Sequence, residues 1–447
     1  MKRTHTLLVL SLTAVSAVNA ASLKNLFSFT EETKIKGGFL EVGGQLYFTC
    51  EKGGAKNFGY IGRFNPADGN LVPQYSFVTD AKPKGGLVRV GNDLFFQCEK
   101  GAATTTWGWI GRFNLATGSV TEEFAYTADA KPKSGLIYAG GAFYYATEKG
   151  GYANWGAIEK LTPGAGVATL SSLTLADGIK IESWAADPDT GLVYYGAREG
   201  GDITQLTGKG AGAIGRIDMG GGTVSKLVDL DFQNHGAKIR SLTFHAGKLW
   251  FVLEEGGDLS LENGKGGGAI ANFDLATRTL TRLHVFSNAT GFKPKGLVRA
   301  GNDFYVATEK GGAGGLGVLG VLRGGMSFES LAEFDATVGA KPDNYLRVAG
   351  QRIYLALELG TPGYLGGISA YELAAPMSSV PSLKISRLKE KLHVSWPAAA
   401  TGYVLQATSK LGSTEWWPVA RPPLREEDQH VVEIELDGPA KFFRLQQ

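Results

Sequence analysis

A lysine that is followed by proline and a second lysine recurs along this chain in a nearly constant context. DAKPKGGL occupies residues 80–87, DAKPKSGL follows at 129–136, and GFKPKGLV stands at 291–298. Related positions complete a set of seven, called here the first lysines: Lys34, Lys82, Lys131, Lys180, Lys238, Lys293 and Lys341. Ammonium groups gathered on one surface repel one another unless something negative lies among them. We therefore predict an electropositive collar that binds an anionic polysaccharide or an acidic protein segment. The alternatives are that each lysine bonds loop carbonyls or an acid of the next repeat, or that duplication copied it.

A second charged position lies two residues after each first lysine. Counted from the turn at Gly91-Asn92, Lys84 faces Glu99 across a β-hairpin. The same count gives four further pairs and one with exchanged signs: Lys36–Glu51, Lys133–Glu148, Arg240–Glu254, Lys295–Glu309 and Glu182–Arg198. An exchange of signs that preserves attraction indicates cross-strand ion pairs and not a shared ligand.

One repeat places two carboxylates in register, Asp343 opposite Glu358. Two acids this close raise the pKa of one of them or recruit a cation or a neighbouring lysine. They are candidates for acid–base or metal chemistry, and His235, which we expect on the same surface as the first lysines, is the third catalytic candidate. The alternative is that Lys341 or a shift in register neutralises them. The histidines show no metal-ligand spacing, so we predict no metal and no cofactor.

Aromatic residues precede the third strand of the first three repeats. Trp107 and Trp155 stand at loop ends, where stacking on a sugar ring and packing between repeats are both open. Phe58 holds the same position in the first repeat, and for Tyr60 and Trp109, two residues further on, packing is the favoured interpretation. Trp107 and Trp155 therefore join the predicted binding residues.

The first twenty residues have the pattern of a secretory signal peptide. Lys2 and Arg3 precede an apolar run, and Val18-Asn19-Ala20 resembles a cleavage site. Removing them leaves 43 basic and 43 acidic residues, and this balance argues against a nucleic-acid partner. No later run is long and apolar enough to span a membrane. We expect export to the periplasm or the extracellular medium.

The lysines belong to a unit that recurs seven times. Each unit contains four short strands with period-two alternation, separated by Gly-rich turns, and the first lysines are 48 to 58 residues apart. This predicts an all-β fold, a seven-bladed β-propeller over residues 21–375. The last unit lacks a fourth strand, and Leu23–Phe29 aligns with the missing segment. We predict that this N-terminal strand closes the ring.

The repeat resembles the Gloeo_Verruco (GloVer) tandem-repeat family of exported bacterial proteins. The matching residues are Gly86-Leu87-Val88, Leu94-Phe95-Phe96 and Gly108 to Phe113, and the resemblance covers residues 22–374. It implies export and repeats but no established chemistry. A kelch propeller is the second choice, because its units also place a Gly doublet near the end of the second strand.

The remaining chain predicts a separate small module. A linker at 376–382 is followed by a β-sandwich at 383–447 that resembles a fibronectin type III domain, with Trp396 and Tyr403 as core aromatics. Cys50 and Cys98 occupy equivalent positions of neighbouring repeats, too far apart for a disulfide bond, so we predict two free, buried thiols.

Three functions remain open. The leading prediction is an exported, non-enzymatic binding protein whose lysine-rich face engages an anionic or glycan ligand. The first alternative is a polysaccharide lyase or hydrolase that uses the same face. The second alternative is a surface scaffold without a small ligand. Fold class does not decide among them.

Overall fold

The computed structural model describes two compact units, one of which spans Ala21–Glu372, while the other contains Leu373–Gln447. The described residues are 22–103, 105–218, 222–360, 365–373, 383–388, 391–397, 404–408, 416–419, 421, 423–426, 429–435 and 442–446. The predicted signal peptide (1–20) and linker (376–382) lie outside them. None of the helices in this part of the chain has the length and apolarity that a membrane crossing needs.

The first unit consists of four-stranded antiparallel sheets, here numbered 1 to 7 in chain order. β1 (Leu23–Ser28) belongs to sheet 7. Sheet 1 contains β2 (Ile35–Val42), β3 (Gln45–Cys50), β4 (Tyr60–Asn65) and β5 (Asn70–Ser76). Sheet 2 contains β6 (Pro83–Val90), β7 (Asp93–Cys98), β8 (Trp109–Asn114) and β9 (Val120–Ala125). Sheet 3 contains β10 (Ile137–Ala139), β11 (Ala142–Ala146), β12 (Ala157–Thr162) and β13 (Gly166–Ser172).

The remaining sheets of this unit repeat the arrangement. Sheet 4 contains β14 (Ile179–Ala186), β15 (Val193–Glu199), β16 (Ala213–Ile217) and β17 (Val224–Asp229). Sheet 5 contains β18 (Ala237–His245), β19 (Lys248–Glu255), β20 (Ala269–Asp274) and β21 (Leu280–Val285). Sheet 6 contains β22 (Phe292–Ala300), β23 (Asp303–Lys310), β24 (Val318–Arg323) and β25 (Ser327–Glu333). Sheet 7 contains β26 (Ala340–Ala349), β27 (Arg352–Leu359), β28 (Gly367–Glu372) and β1. Four short 3-10 helices lie in the loops of the described residues: Tyr152–Asn154, Leu175–Asp177, Leu206–Gly208 and Glu262–Gly264.

The core of the first unit lies between neighbouring sheets. The second strands are buried over nearly their whole length, as in β7, because both faces of each sheet are covered. One cluster joins Leu46 and Phe48 of sheet 1 to Tyr354 and Ile368 of sheet 7, and the next cluster joins sheets 1 and 2. The turns follow the Gly pattern, and Gly91 has a φ of 61° between β6 and β7.

The first strands of all seven sheets converge. Residues from each of them line a single cavity of about 230 Å³. The backbones approach so closely that a Cβ at Gly37 would lie 1.9 Å from the carbonyl carbon of Gly85, so this position requires glycine. The hydroxyl of Tyr345 in sheet 7 donates to the backbone carbonyl of Glu182 in sheet 4 (3.3 Å).

The N-terminal strand is the fourth strand of sheet 7. β1 pairs antiparallel with β28, with Leu23 opposite Tyr371 and Ser28 opposite Gly367. The strand ends one residue before the predicted limit, and the amide of Phe29 then donates to the carbonyl of Gly366 (3.1 Å). Residues from both ends of the first unit therefore share one sheet.

The second unit contains two sheets. One has the strand order β29 (Lys384–Leu388), β30 (Lys391–Pro397), β34 (Gln429–Glu435) and β33 (Leu424–Glu426). The other has the order β32 (Trp417–Pro418), β31 (Val404–Thr408) and β35 (Phe442–Gln446). Trp396 is 1% exposed at the centre of this unit's own core, as predicted, and Tyr403 lies outside the described residues.

The prediction for the cysteines is confirmed. Cys50 and Cys98 are both free and fully buried, at the ends of β3 and β7. Burial raises the pKa of both thiols well above the ordinary value.

Candidate functional site

The first lysines occupy a backbone conformation that L-amino acids rarely adopt. Lys34 is outside this group, but the other six have positive φ angles: Lys82 46°, Lys131 50°, Lys180 55°, Lys238 63°, Lys293 56° and Lys341 52°. The position lies where the chain enters the first strand of each sheet, and the carbonyl of Lys82 accepts a hydrogen bond from the Glu99 amide (3.0 Å). This left-handed conformation costs free energy for residues with a side chain, and Gly or Asn adopts it most readily. The fold therefore needs the backbone shape here but not a lysine side chain.

Four of the first lysines are neutralised by carboxylates. The pairs are Lys34–Glu32 (3.5 Å), Lys180–Glu199 (2.9 Å), Lys238–Glu255 (2.7 Å) and Lys293–Glu262 (2.7 Å). Glu199 and Glu255 stand at a position that is lysine in sheets 1, 2, 3 and 6, so the sequence carries a signal for these two pairs. The alternative of an acid from the next repeat is not what these four pairs show: Glu199 and Glu255 lie in the lysine's own sheet, and Glu32 and Glu262 precede their lysines in the chain.

Three first lysines have no such partner. Within the part of the chain that the structure describes, no ion pair involves Lys82, Lys131 or Lys341, and Lys341 is exposed. These three are called the unpaired first lysines below. They are the members of the predicted collar that no carboxylate of the described residues holds in an ion pair.

Lys131 and Trp155 meet at one cavity. The space has a volume of about 220 Å³, and Lys149, Asn154, Lys180 and Glu148, which is paired with Lys133, also line it. Trp155 is 39% exposed, whereas Lys149 and Lys180 are held by Asp129 and Glu199. This Trp155 cavity combines an accessible indole face with one lysine that has no ion pair in the described residues.

The other aromatic candidates divide as the sequence indicated. Trp107 is 39% exposed, while Tyr60 and Trp109 are 3% and 6% exposed and pack against Phe48 and Phe96. Phe58 packs against the core between sheets 1 and 2. Of these five aromatic candidates, Trp107 and Trp155 are the two with exposed rings.

The second charged positions form ion pairs, but the partners differ from the prediction in the first two sheets. The pairs Lys133–Glu148 (2.6 Å), Arg240–Glu254 (2.8 Å), Lys295–Glu309 (2.7 Å) and Arg198–Glu182 (3.4 Å) are confirmed. The prediction of Lys84–Glu99 and Lys36–Glu51 is wrong. Lys84 instead binds Glu51 of sheet 1 (2.8 Å), and Lys36 binds the carboxylates of sheet 7.

Pairing between sheets has a simple geometric reason. Because the first strands converge, a charged side chain of one sheet can reach a carboxylate of a neighbouring sheet as well as the one in its own hairpin. Arg198 of sheet 4 also contacts Glu254 of sheet 5 (3.3 Å), and Lys295 of sheet 6 contacts the same carboxylate (3.5 Å). Burial raises the pKa of Glu254, but Arg240 and its neighbours lower it to about 2.

The two carboxylates of sheet 7 are bridged by one ammonium group. Lys36 Nζ lies 2.8 Å from Glu358 Oε1 and 3.7 Å from Asp343 Oδ1. Burial would raise the pKa of Glu358, yet Lys36 holds it below the ordinary value. The neutralising group is therefore Lys36 of sheet 1 and not Lys341. An ionised, paired carboxylate favours a structural role over acid–base catalysis.

His235 is engaged in its own turn. Its Nδ1 accepts a hydrogen bond from the amide of Asp231 (3.1 Å), and its amide donates to the Asp231 carbonyl (2.7 Å). Burial lowers the pKa of the imidazole, against the opposing effect of Asp231. The cavity that Asp343 and Glu358 line does not include His235, so the structure does not assemble these three candidates. Among the described residues, no group of three or more His, Cys, Asp or Glu could hold a metal ion.

No protein-family model matches the chain, and neither does any curated protein. Several solved structures are similar in fold. The extracellular domain of a one-component system from B. thetaiotaomicron has a TM-score of 0.51 at 12% identity and covers 87% of this chain. This chain spans only 43% of that structure.

Two further structures match over nearly their whole length. YCF48 bound to D1 peptide has a TM-score of 0.52 at 13% identity, covering 81% of this chain and 98% of that one. Oligogalacturonate lyase in complex with manganese has a TM-score of 0.52 at 11% identity, covering 80% and 95%. Identities this low establish a likeness of fold alone. The chain therefore has an all-β, propeller-like fold built from four-stranded antiparallel sheets.

Proposed function

We propose that this chain is an exported binding protein whose lysine face engages an anionic ligand, with an anionic polysaccharide as the first choice and an acidic protein segment as the second. The binding residues are the first lysines together with Trp107 and Trp155. Within this set, the unpaired first lysines and the Trp155 cavity make the main contacts. The protein binds its ligand without turning it over.

The observation that carries this proposal is the left-handed backbone of six first lysines. Glycine or asparagine would fit this conformation at lower cost, yet each of these sheets has lysine. Strained residues persist where the surrounding structure and the function require them. A repeated lysine at a position that disfavours its backbone indicates that the ammonium group itself is used. Lys180, Lys238 and Lys293 use it in ion pairs, and we propose that the unpaired first lysines use it for a ligand.

The position of the unpaired charge supports a specific sector of the face. Lys82 and Lys131 precede the first strands of sheets 2 and 3, and the exposed rings of Trp107 and Trp155 belong to the same two sheets. A sugar ring offers an apolar face for stacking and an acidic group for an ammonium. We propose that a uronate or sulfated sugar unit occupies the Trp155 cavity, with its anionic group on Lys131.

The architecture that we propose for this face is a closed seven-bladed propeller. The seven four-stranded sheets, the cavity shared by their first strands and the pairing of β1 with β28 support it. Closure gives sheet 7 the same four strands as the other sheets and leaves no open seam between the last and first sheets. In such a ring the loops that carry the first lysines all emerge on one side.

The remaining assignments rest on sequence patterns. The signal-peptide pattern supports export, and the repeat resembles the GloVer family. The second unit, with one four-stranded and one three-stranded sheet, is proposed to be a fibronectin type III-like spacer or adhesive module. We propose no activity for it.

Retention on immobilised anionic polysaccharide tests the binding function. The variant Lys82→Met/Lys131→Met/Lys341→Met removes three charges while keeping unbranched side chains of similar length. We expect its elution from heparin and polygalacturonate columns at clearly lower salt than the wild type, because the elution salt follows the number of released counterions. Uncharged agarose is the column control.

A matched variant separates a specific site from general charge. Lys180→Met/Lys238→Met/Lys293→Met removes the same number of charges from paired members of the same set. We expect a smaller shift for this variant, because these ammonium groups are already neutralised by carboxylates. Unchanged elution of the first variant, or equal shifts for both, would contradict the proposed site.

A further inference from the structure

One position inside the sheets changes its chemistry only in sheet 3. Each second strand has an aromatic or aliphatic residue near its middle, such as Phe48 in sheet 1. The third-strand residue opposite it is small in six sheets: Gly62, Gly111, Gly215, Ala271, Gly320 and Ser369. In sheet 3 it is Glu159, opposite Tyr145. The small residue has a packing reason, since a Cβ at Gly111 would lie 2.6 Å from the Phe96 ring. A glutamate here is therefore the least expected residue for the fold.

The neighbours of Glu159 change with it. In sheet 2 the corresponding space is filled by the ring cluster of Phe77, Phe96 and Trp109, with centroids 5.3 to 6.2 Å apart. Tyr126, Tyr145 and Ala157 take these places at sheet 3. Relative to sheet 2, two phenylalanines are replaced by tyrosines, which adds two hydroxyl groups, and the tryptophan is replaced by an alanine.

The result is a buried hydrogen-bonded group in place of an aromatic core. The Tyr126 hydroxyl lies 2.9 Å from that of Tyr145 and donates to the carboxylate of Glu159. Tyr126, Tyr145 and Glu159 are 9%, 0% and 8% exposed. Burial raises the pKa of Glu159 against the opposing effect of the tyrosine hydrogen bonds. Burying a carboxyl group costs free energy that these hydrogen bonds offset and that an aromatic cluster avoids, so apolar packing alone does not explain the choice of residues.

Two of these three residues, Tyr126 and Glu159, border an open space. Glu159 and Tyr126 line a cavity of about 420 Å³, which falls within the usual range for small-molecule sites. Its walls include the Phe124 ring, which stands edge-on to Tyr126 at 5.0 Å. The cavity thus combines two aromatic surfaces with a carboxyl group and a phenol hydroxyl that can exchange hydrogen bonds with a ligand.

The charges around this Glu159 cavity disfavour an ionic ligand. Lys149 at its wall is held by Asp129 (2.7 Å), which leaves Glu159 as the ionisable group without a basic partner. An anion would meet this carboxylate. The second carboxylate of the lining, Asp129, is held by Lys149, and the described residues offer no group of three acids, histidines or cysteines for a metal ion. Aromatic walls and hydrogen-bonding groups suit a neutral ring with hydroxyl edges and apolar faces.

We propose that the Glu159 cavity is a binding site for a neutral, hexose-sized sugar, with Glu159 and Tyr126 hydrogen-bonding to its hydroxyl groups. Tyr145, which does not line the cavity, positions the Tyr126 hydroxyl through the contact between their hydroxyl groups. None of the unpaired first lysines lines this site, although Lys149 lies at the wall of both this cavity and the Trp155 cavity. Binding of the neutral sugar does not require the anionic ligand.

Saturation-transfer NMR on the full chain tests the site, with D-glucose, D-galactose, D-mannose and N-acetyl-D-glucosamine as probes. We expect transfer to at least one sugar in the wild type. Tyr126→Phe, which removes a single oxygen atom, should weaken binding about 3- to 10-fold. Glu159→Gly, which restores the residue of sheet 2, should abolish the signal. The matched control Glu99→Gln, at a half-buried acid outside the cavity, should bind as the wild type does.

Two outcomes would overturn the proposal. One is the absence of transfer to every probe in the wild type. The other is a signal that survives both Tyr126→Phe and Glu159→Gly, including a signal that Trp155→Ala abolishes instead. The unpaired-lysine variant should retain neutral-sugar binding, so failure of the anionic function and failure of this site are distinguishable.

Discussion

Lys36 is the residue on which the two carboxylates of sheet 7 depend. Asp343 is 8% exposed. Within the described residues, Lys36 is the one basic residue that forms an ion pair with Asp343 or with Glu358. We expect Lys36→Met to lower the free energy of unfolding at pH 7 by about 1–3 kcal/mol, between the values for exposed and for buried pairs. Urea unfolding followed by tryptophan fluorescence measures this change.

The loss caused by Lys36→Met should depend on pH. Lys36 lowers the pKa of Glu358 in the folded state, so its stabilisation is complete above the unfolded pKa and disappears as pH falls through the folded value. The carboxylates raise the pKa of Lys36, so the same stabilisation also disappears at high pH. The difference between variant and wild type should therefore be largest at neutral pH and shrink below the ordinary pKa of 4.5.

A control for this prediction is Lys52→Met, whose pair with Glu32 is 38% and 49% exposed. We expect a change within about 0.5 kcal/mol, as for most exposed pairs. A loss for Lys36→Met that is no larger than that of Lys52→Met, or that grows toward acid pH, would contradict the role of Lys36.

At the scale of elements, β1 and the residue after it connect the two ends of the first unit. Phe29 is 6% exposed in a cluster with residues of sheets 1 and 7. We expect Phe29→Ala to lower the free energy of unfolding by about 3–5 kcal/mol, the usual loss for a large buried side chain. Urea unfolding of the first unit measures this loss.

The control for Phe29→Ala is Val78→Ala, at a side chain that is 63% exposed. It should change stability by no more than about 0.5 kcal/mol. If Phe29→Ala behaved like this control, β1 would not contribute to the stability of sheet 7 as its packing indicates.

At the scale of the whole molecule, the chain has two compact units with cores of their own. Trp396 is 1% exposed in the core of the second unit. We expect thermal unfolding in two transitions, with Trp396→Ala lowering the midpoint of one and Phe29→Ala the midpoint of the other. Differential scanning calorimetry measures both midpoints. A single transition that both variants shift equally would contradict two independently folding units.

Local sequence pattern predicted most of the sheets, because strand alternation and Gly turns act between near neighbours. It predicted the four-strand unit, the free thiols Cys50 and Cys98, and the four ion pairs that close within one hairpin. It also identified the first lysines, though not their backbone strain, because the φ angle depends on how the loop enters the strand.

Contacts between sheets were decided by the tertiary structure. Lys36 and Lys84 bind the preceding sheet, because convergence of the first strands brings those carboxylates within reach. The cavity between Lys131 and Trp155 and the hydrogen bond from Tyr126 to Glu159 likewise join residues that only folding brings together. The recurrence of the lysines, glutamates and aromatic residues could be read from the sequence, because it is a property of residue order along the chain. Only the packing of one sheet on the next determined which of them remain available to a ligand.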